Sequence, residues 1–415
     1  MRRRRISTII SETLTAMARG ASVAAAQGDT LGNTLDAIMK PTPSQKINTW
    51  SARMVESTLQ RYTLNDAKWH YEHGLQVMAI QKVGEATGEE RYLKFAADWV
   101  DQFIQPDGSI RTYRADEYNV DQINAGRLLY RAYERTGDER YRKAIELLRG
   151  QMRTHPRNHV NGFWHKQIYP YQMWLDGIYM AGPFLAEYAM RFDEPETFDD
   201  VVHQIKLIDE HARDPKTGLL YHAWDESKTQ RWCDPLTGCS KYFWGRAVGW
   251  FVMALVDVLD FLPQNHARRA EVISILDTTA AAIIKVQDEA TGLWYQILDL
   301  PEREGNYPEA SASAMFVYAF AKAVRNGYLT QDYLLTARRG YHGLLQNLIK
   351  VDSQGLLTLE GVCSVAGLGG EPYRDGSFEY YVSEKVTPND PKGVGPFILA
   401  ALEMECAGVN GELSE

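Results

Sequence analysis

Thr87-Gly88-Glu89-Glu90-Arg91-Tyr92-Leu93-Lys94 recurs 49 positions on as Thr136-Gly137-Asp138-Glu139-Arg140-Tyr141-Arg142-Lys143. In the second copy Asp138 is placed to cap a helix, its carboxylate accepting from free N–H groups of the first turn. Apolar residues then fall at Tyr141, Ala144, Ile145, Leu148 and Met152, one face of an α-helix. The stretch before it carries Ile123, Leu128, Leu129, Ala132 and Tyr133 and stops at Thr136-Gly137. A repeat of this length, built from two helices and a glycine turn, predicts a recurring helical hairpin.

A second echo pairs Thr217-Gly218-Leu219-Leu220-Tyr221-His222 with Thr291-Gly292-Leu293-Trp294-Tyr295-Gln296, and Asn161-Gly162-Phe163-Trp164-His165 has the same flavour. Repeated helix pairs either stack into an open solenoid or close into a ring. The loops hold the unusual residues His165, Asp176, His222, Asp225, Trp244 and Arg246. A ring gathers them at one mouth; a solenoid spreads them along a face. The expectation is the ring: an all-α barrel forming one domain over residues 46–415, with short rim β-hairpins near 107–111 and 355–359. Residues 1–45 carry no core pattern and read as a poorly ordered lead or packing arm.

Arg2 to Arg5 imitate the basic start of a signal peptide, but Glu12 and Arg19 interrupt the apolar stretch that should follow. The reading is a cytoplasmic enzyme, with secretion as the alternative. No run of 18 apolar residues occurs, so no membrane-crossing helix is expected. A net charge of −9 argues against nucleic acid, which selects basic surfaces. A small anionic ligand needs only one or two local cations and stays open. The four cysteines are too scattered for a disulfide framework and lack zinc-site spacing, so reduced structural thiols are expected. The 23 Tyr and 10 Trp offer flat faces for sugar rings or serve as barrel filler.

Asp176 lies in Tyr169-Pro170-Tyr171-Gln172-Met173-Trp174-Leu175-Asp176-Gly177. Among Met, Trp and Leu its carboxyl would be desolvated and kept protonated as a general acid. Alternatively it caps the helix expected from Ile178 to Met190, and one residue can do both. Asp121, in Tyr118-Asn119-Val120-Asp121-Gln122-Ile123-Asn124, carries the same two readings. Two carboxylates suit an ordinary glycosidase, but spacing along the chain does not give their separation. His165 and His222 could hold substrate oxygens, and Trp244-Gly245-Arg246 joins a ring to a guanidinium suited to a sugar carboxylate. Lys166 beside His165, Trp174 and His73 complete the candidate substrate contacts. His70 and His73 are the nearest approach to a metal spacing, and no metal or cofactor is expected.

Taken together, these segments resemble the unsaturated glycuronyl hydrolases of glycoside hydrolase families 88 and 105, more closely family 105, the unsaturated rhamnogalacturonyl hydrolases. The resemblance runs from about Trp69 to about Leu402. It is also carried by Glu309 to Phe316, by Pro372-Tyr373-Arg374-Asp375-Gly376-Ser377-Phe378-Glu379-Tyr380-Tyr381, and by Lys392 to Phe397. It implies an (α/α)6 barrel and a substrate left by a polysaccharide lyase, a small oligosaccharide whose terminal uronate carries a C4=C5 vinyl ether. It implies that Asp176 protonates C4 and then activates water for attack at C5, after which the hemiketal opens. Asp121 would hold sugar hydroxyls, and His165, His222, Trp244 and Arg246 would line the subsite. Neither cofactor nor metal is implied, and the chain is expected to be a monomer or homodimer. The competing readings are another (α/α)-barrel enzyme (an unsaturated glucuronyl hydrolase, an ordinary glycosidase or a sugar epimerase) and a non-catalytic sugar-binding barrel.

Overall fold

The structure is a computed structural model that describes residues 48–409 and 411; the 1–45 lead falls outside them. Thirteen α-helices occur among the described residues: α1 (Trp50–Leu59), α2 (Tyr71–Thr87), α3 (Glu90–Asp101), α4 (Arg127–Thr136), α5 (Glu139–Thr154), α6 (Leu175–Arg191), α7 (Glu196–Ala212), α8 (Gly245–Val258), α9 (Arg269–Ile284), α10 (Ala310–Arg325), α11 (Asp332–Gly343), α12 (Phe378–Ser383) and α13 (Pro391–Cys406). Helices α2, α4, α6, α8, α10 and α13 pack in that order, and α13 returns to α2, which closes an inner ring of six. An outer helix backs each: α3 on α2, α5 on α4, α7 on α6, α9 on α8, α11 on α10, and α1 on α13. This is the (α/α)6 barrel that the resemblance implied.

The two rings follow from side-chain pattern. All of α8 is buried, as is all of α10 before Arg325, because an inner helix meets protein on every side. The outer helix α3 buries only a stripe, Tyr92, Leu93, Ala96, Trp99 and Val100. Where inner helices end, the chain turns sharply into the outer one. Gly88 and Gly137 close α2 and α4 in the left-handed conformation, at φ 77° and 65°, and their N–H groups donate back to Gly84 and Tyr133. Thr136 Oγ1 donates to the Ala132 carbonyl at 2.7 Å. The 49-residue echo is therefore the inner-to-outer turn of two successive hairpins.

The second echo is a different turn, the one that leaves an outer helix. Asp214 Oδ2 accepts from the Thr217 backbone and hydroxyl at 2.8 and 2.7 Å, and Asp288 does the same for Thr291 at 2.7 and 2.6 Å. The same turn recurs from Asp234 to Gly238, inside the connection between α7 and α8, where the Gly238 N–H donates to the Asp234 carbonyl at 2.7 Å. The outer-to-inner connections are long, and all open at the end where the inner helices begin. Short strands stiffen them: β1 (Gln172–Trp174) pairs antiparallel with β2 (Ala223–Asp225), and β3 (Ile349–Val351) with β4 (Leu357–Leu359). The rim hairpin expected near 355–359 is the second pair. The one near 107–111 reduces to a single bridge between Ile104 and Ile110.

Candidate active site

The β1–β2 pair builds the first half of the site. Its register sets Trp174 opposite Ala223, and the Leu175 N–H donates to the His222 carbonyl at 3.0 Å. Asp176, in the first turn of α6, thereby meets His222: Oδ2 lies 3.3 Å from Nε2. The angle is too poor for a hydrogen bond, so both atoms are buried without a hydrogen-bond partner. The cap reading of Asp176 is corrected: the cap position belongs to Trp174, and Asp176 caps nothing. Nor is it fully desolvated, since its side chain stays 13% exposed. His222 is fully buried and its Nδ1 shares a 2.8 Å hydrogen bond with the Tyr381 hydroxyl.

The second half comes from a two-stranded contact further upstream. Asn119 bridges to Lys166, and the Val120 N–H donates to the His165 carbonyl at 3.3 Å. That puts Asp121, in a 3-10 turn, between Lys166 Nζ at 2.7 Å and His165 Nε2 at 3.4 Å. The capping role expected of Asp121 falls to Asn119, whose Oδ1 accepts from the Asp121 N–H at 3.0 Å. Burial alone would raise the Asp121 carboxyl, but Lys166 and His165 outweigh it and hold it at about 2. Burial presses His165 down to about 4, against the pull of Asp121. At neutral pH the pair is thus an aspartate and a neutral imidazole.

Trp174 is a structural platform here. His165 stacks on it at 4.5 Å and 6°, Tyr169 at 5.1 Å and 15°, and His222 meets it edge-on at 5.3 Å. Trp244 and Arg246 form a deeper layer, each 1% exposed. Trp244 packs on His222 at 4.7 Å and donates Nε1–H to Gln296 Oε1 at 3.0 Å. Arg246 sits 4.9 Å from the Trp244 ring, with Nη1 donating to the Cys363 carbonyl and to Ser311 Oγ. It makes no ion pair among the described residues, which leaves a buried guanidinium without a protein anion bound to it. Asp225 is a loop clasp instead: its carboxylate accepts from the backbone of Ser227, Thr229 and Gln230 at 2.9 to 3.0 Å. His73 lies apart from this cluster. Its Nδ1 meets the Tyr62 hydroxyl at 2.7 Å, so no contact joins it to Asp121 or Asp176.

Sequence reading missed Tyr71, Gln296, Tyr381 and Lys392. Tyr71 opens α2, and its phenol feels the charges of Asp121, Arg246 and Asp176. Gln296 occupies the place in its turn that His222 has in the matching one, a signal present in the Tyr221-His222 and Tyr295-Gln296 echo. Lys392 is buried, 3.1 Å from Glu72 and 2.9 Å from Asp390. No group of three potential metal ligands occurs among the described residues, and no described helix is long and apolar enough to cross a membrane. The four cysteines are free thiols, with Cys233, Cys239 and Cys363 buried.

The sequence profile of Glycosyl Hydrolase Family 88 matches residues 44–407. A glycoside hydrolase from family 105 of C. acetobutylicum ATCC 824 is 49% identical, with a TM-score of 0.84, covering 86% of this chain and 100% of that one. A possible member of the GH105 family from Salmonella enterica serovar Paratyphi A is 26% identical, with a TM-score of 0.70, over 82% and 84% of the two chains. The unsaturated rhamnogalacturonyl hydrolase YesR of Bacillus subtilis is 29% identical over 276 residues, 65% of this chain and 74% of that protein.

Proposed function

The chain belongs to the glycosyl hydrolases of families 88 and 105, and from that footing we propose that it removes an unsaturated uronate from the non-reducing end of lyase-generated rhamnogalacturonan oligosaccharides. The carrying observation is the unlike surroundings of its two carboxylates. Asp121 is pinned as an anion by Lys166, so it is a poor proton donor and a good acceptor for sugar hydroxyls. Asp176 has an oxygen committed to no hydrogen bond, beside His222, and its side chain keeps 13% exposure. One carboxyl is therefore free to exchange a proton, and the other is free to hold substrate.

In this reading Asp176 delivers its proton to C4 of the vinyl ether, and positive charge develops at C5 and the ring oxygen. The resulting carboxylate takes a proton from water as the water oxygen bonds to C5. The hemiketal then opens, the glycosidic bond breaks, and the remaining oligosaccharide leaves with a new hydroxyl. Asp176 ends protonated, ready for another turnover. Two features support an anionic substrate. Arg246 is a buried cation with no ion-pair partner among the described residues, and a buried charge is costly until it is paired. The inner helices also begin at the mouth, and helix N-termini favour negative charge. In this reading His222, 3.3 Å from Asp176, lies beside the reacting carbons, while Trp174 and Trp244 hold the imidazoles in place.

The test is the ultraviolet absorbance of the enol-ether carboxylate, followed on the unsaturated galacturonyl-rhamnose disaccharide. The wild type should abolish it, and Asp176→Asn should lower kcat by about 10²–10⁴-fold, the range for loss of a general acid–base. Equal rates for both proteins would overturn the assignment of Asp176. Turnover of saturated sugars instead would overturn the substrate class.

A further inference from the structure

Beside the site, at the same end of the barrel, lies an open cavity of about 520 Å3 whose wall includes Lys68, His70, Arg111 and Thr112 over a floor of Trp69 and Phe103. It is physically joined to the catalytic cluster. Trp69 Nε1 donates to the carbonyl of Gln122, the residue after Asp121, at 3.0 Å. His70 immediately precedes Tyr71. The floor is rigid: Trp69 and Phe103 are buried, and Trp69 stacks on Trp99 at 5.9 Å and 23°.

The two cations on this wall are the distinguishing feature. Lys68 and Arg111 are exposed, and neither makes an ion pair among the described residues. Nearby Arg114, by contrast, is engaged by Asp116 at 3.1 Å and Glu117 at 3.4 Å. The Arg111 guanidinium is held 5.4 Å from the Phe103 ring, which limits its wandering over the cavity. The next residue, Thr112, has φ 73°, a backbone conformation that β-branched residues rarely adopt. Such outliers persist where surrounding structure over-determines them. In a chain of net charge −9, two unpaired cations converging on a cleft form a local well for an anion.

We propose that this cleft is a further subsite, taking the carboxylate of a second uronate in the oligosaccharide that leaves. The inference rests on the reading of Asp176 above for which end of the substrate enters the barrel. In a chain alternating uronate and neutral sugar, as rhamnogalacturonan does, the second carboxylate sits on the third sugar. The unsaturated disaccharide is too short to reach it, and the tetrasaccharide carries it. The subsite therefore makes the enzyme prefer fragments longer than a disaccharide.

Calorimetric titration of full-length Asp176→Asn protein tests this, because binding is then read without turnover. The unsaturated tetrasaccharide should bind about tenfold tighter than the disaccharide, and the gain should shrink as salt rises. Adding Lys68→Ala and Arg111→Ala should remove the gain and leave the disaccharide Kd as it was. Lys68→Arg should restore most of it. A tetrasaccharide with its second carboxyl reduced to the alcohol should bind like the disaccharide. Equal tetrasaccharide affinity with and without the two cations overturns the subsite, as does no measurable tetrasaccharide binding, or an equal loss on both sugars. The two readings fail separately. Wild-type turnover of the disaccharide with no effect of the two cations sinks the subsite alone. Carboxylate-dependent binding lost in the variants, with no ultraviolet change in the wild type, sinks the proposed reaction alone.

Discussion

At the scale of single residues, the site is organised by which atoms already have partners. The Tyr381 hydroxyl is buried, and its hydrogen bond to His222 Nδ1 at 2.8 Å is the one it makes among the described residues. A buried O–H donates rather than going unmet, so Nδ1 is the acceptor and the imidazole proton resides on Nε2. Nε2 faces Asp176 Oδ2 at 3.3 Å. The chain from Tyr381 through His222 therefore sets an N–H beside the Asp176 carboxylate left after C4 protonation, misaligned for a hydrogen bond but close enough to act on its charge. Tyr381→Phe removes the donor and frees the imidazole to put its proton on either nitrogen. The expected result is a fall in kcat of about tenfold, roughly the weight of the one hydrogen bond lost, with KM little changed. A kcat like that of the wild type would show that Tyr381 only fills space.

At the scale of elements, glycine turns decide whether hairpins form, and two of them separate backbone cost from crowding. A Cβ at Gly137 would meet nothing within 4 Å, so Gly137→Ala should cost only the left-handed backbone penalty, about 1 kcal/mol in urea unfolding. A Cβ at Gly238 would lie 2.4 Å from the Asp225 carbonyl oxygen. Gly238→Ala must shift the loop that Asp225 clasps, so it should cost about 2–3 kcal/mol and lower activity through β2. Equal costs at the two positions would contradict this account. The same glycines explain what the sequence disclosed. A left-handed helix end needs glycine whatever the tertiary context, so the hairpin repeat and hence the ring were legible. The motif around Asp176 stood out as well. What stayed hidden depends on long-range register: β1 and β2 are three residues each and lie about 50 positions apart, with no local signal naming the partner. Tyr71 and Tyr381 reach the site from opposite ends of the chain, which periodicity cannot foresee. Of the two readings of Asp121, the cap fails because Asn119, two residues earlier, competes for the same role and wins.

For the whole molecule, the buried histidines set how the fold answers to acid. Burial holds His73, His155 and His165 each down at about 4, against an ordinary value near 6.5. A folded pKa below the unfolded one means the unfolded chain takes up the proton first as pH falls. The stabilisation is therefore complete above pH 6.5 and drains away between about 6.5 and 4. Each group contributes a slope of up to ~1.4 kcal/mol per pH unit in that window. Asp121, held at about 2 chiefly by Lys166 against burial, adds a loss of the same sign at lower pH, from about 3.8 downward. Glu187, Glu405, Asp209, Asp260 and Asp299, raised by burial, act oppositely as they protonate and offset part of the histidine loss, which is read between pH 7 and 5. Thermal unfolding should show Tm dropping steadily across that interval. His155→Gln keeps a donor for the Trp164 carbonyl, which His155 Nε2 meets at 2.8 Å, but cannot take up a proton. It should therefore flatten the slope by less than a third, because burial lowers His70 and His211 as well. A Tm that stays level from pH 7 to 5 in the wild type, or a slope indifferent to His155→Gln, would mean that these histidines are solvated well enough in the folded barrel to titrate as they do in the unfolded chain.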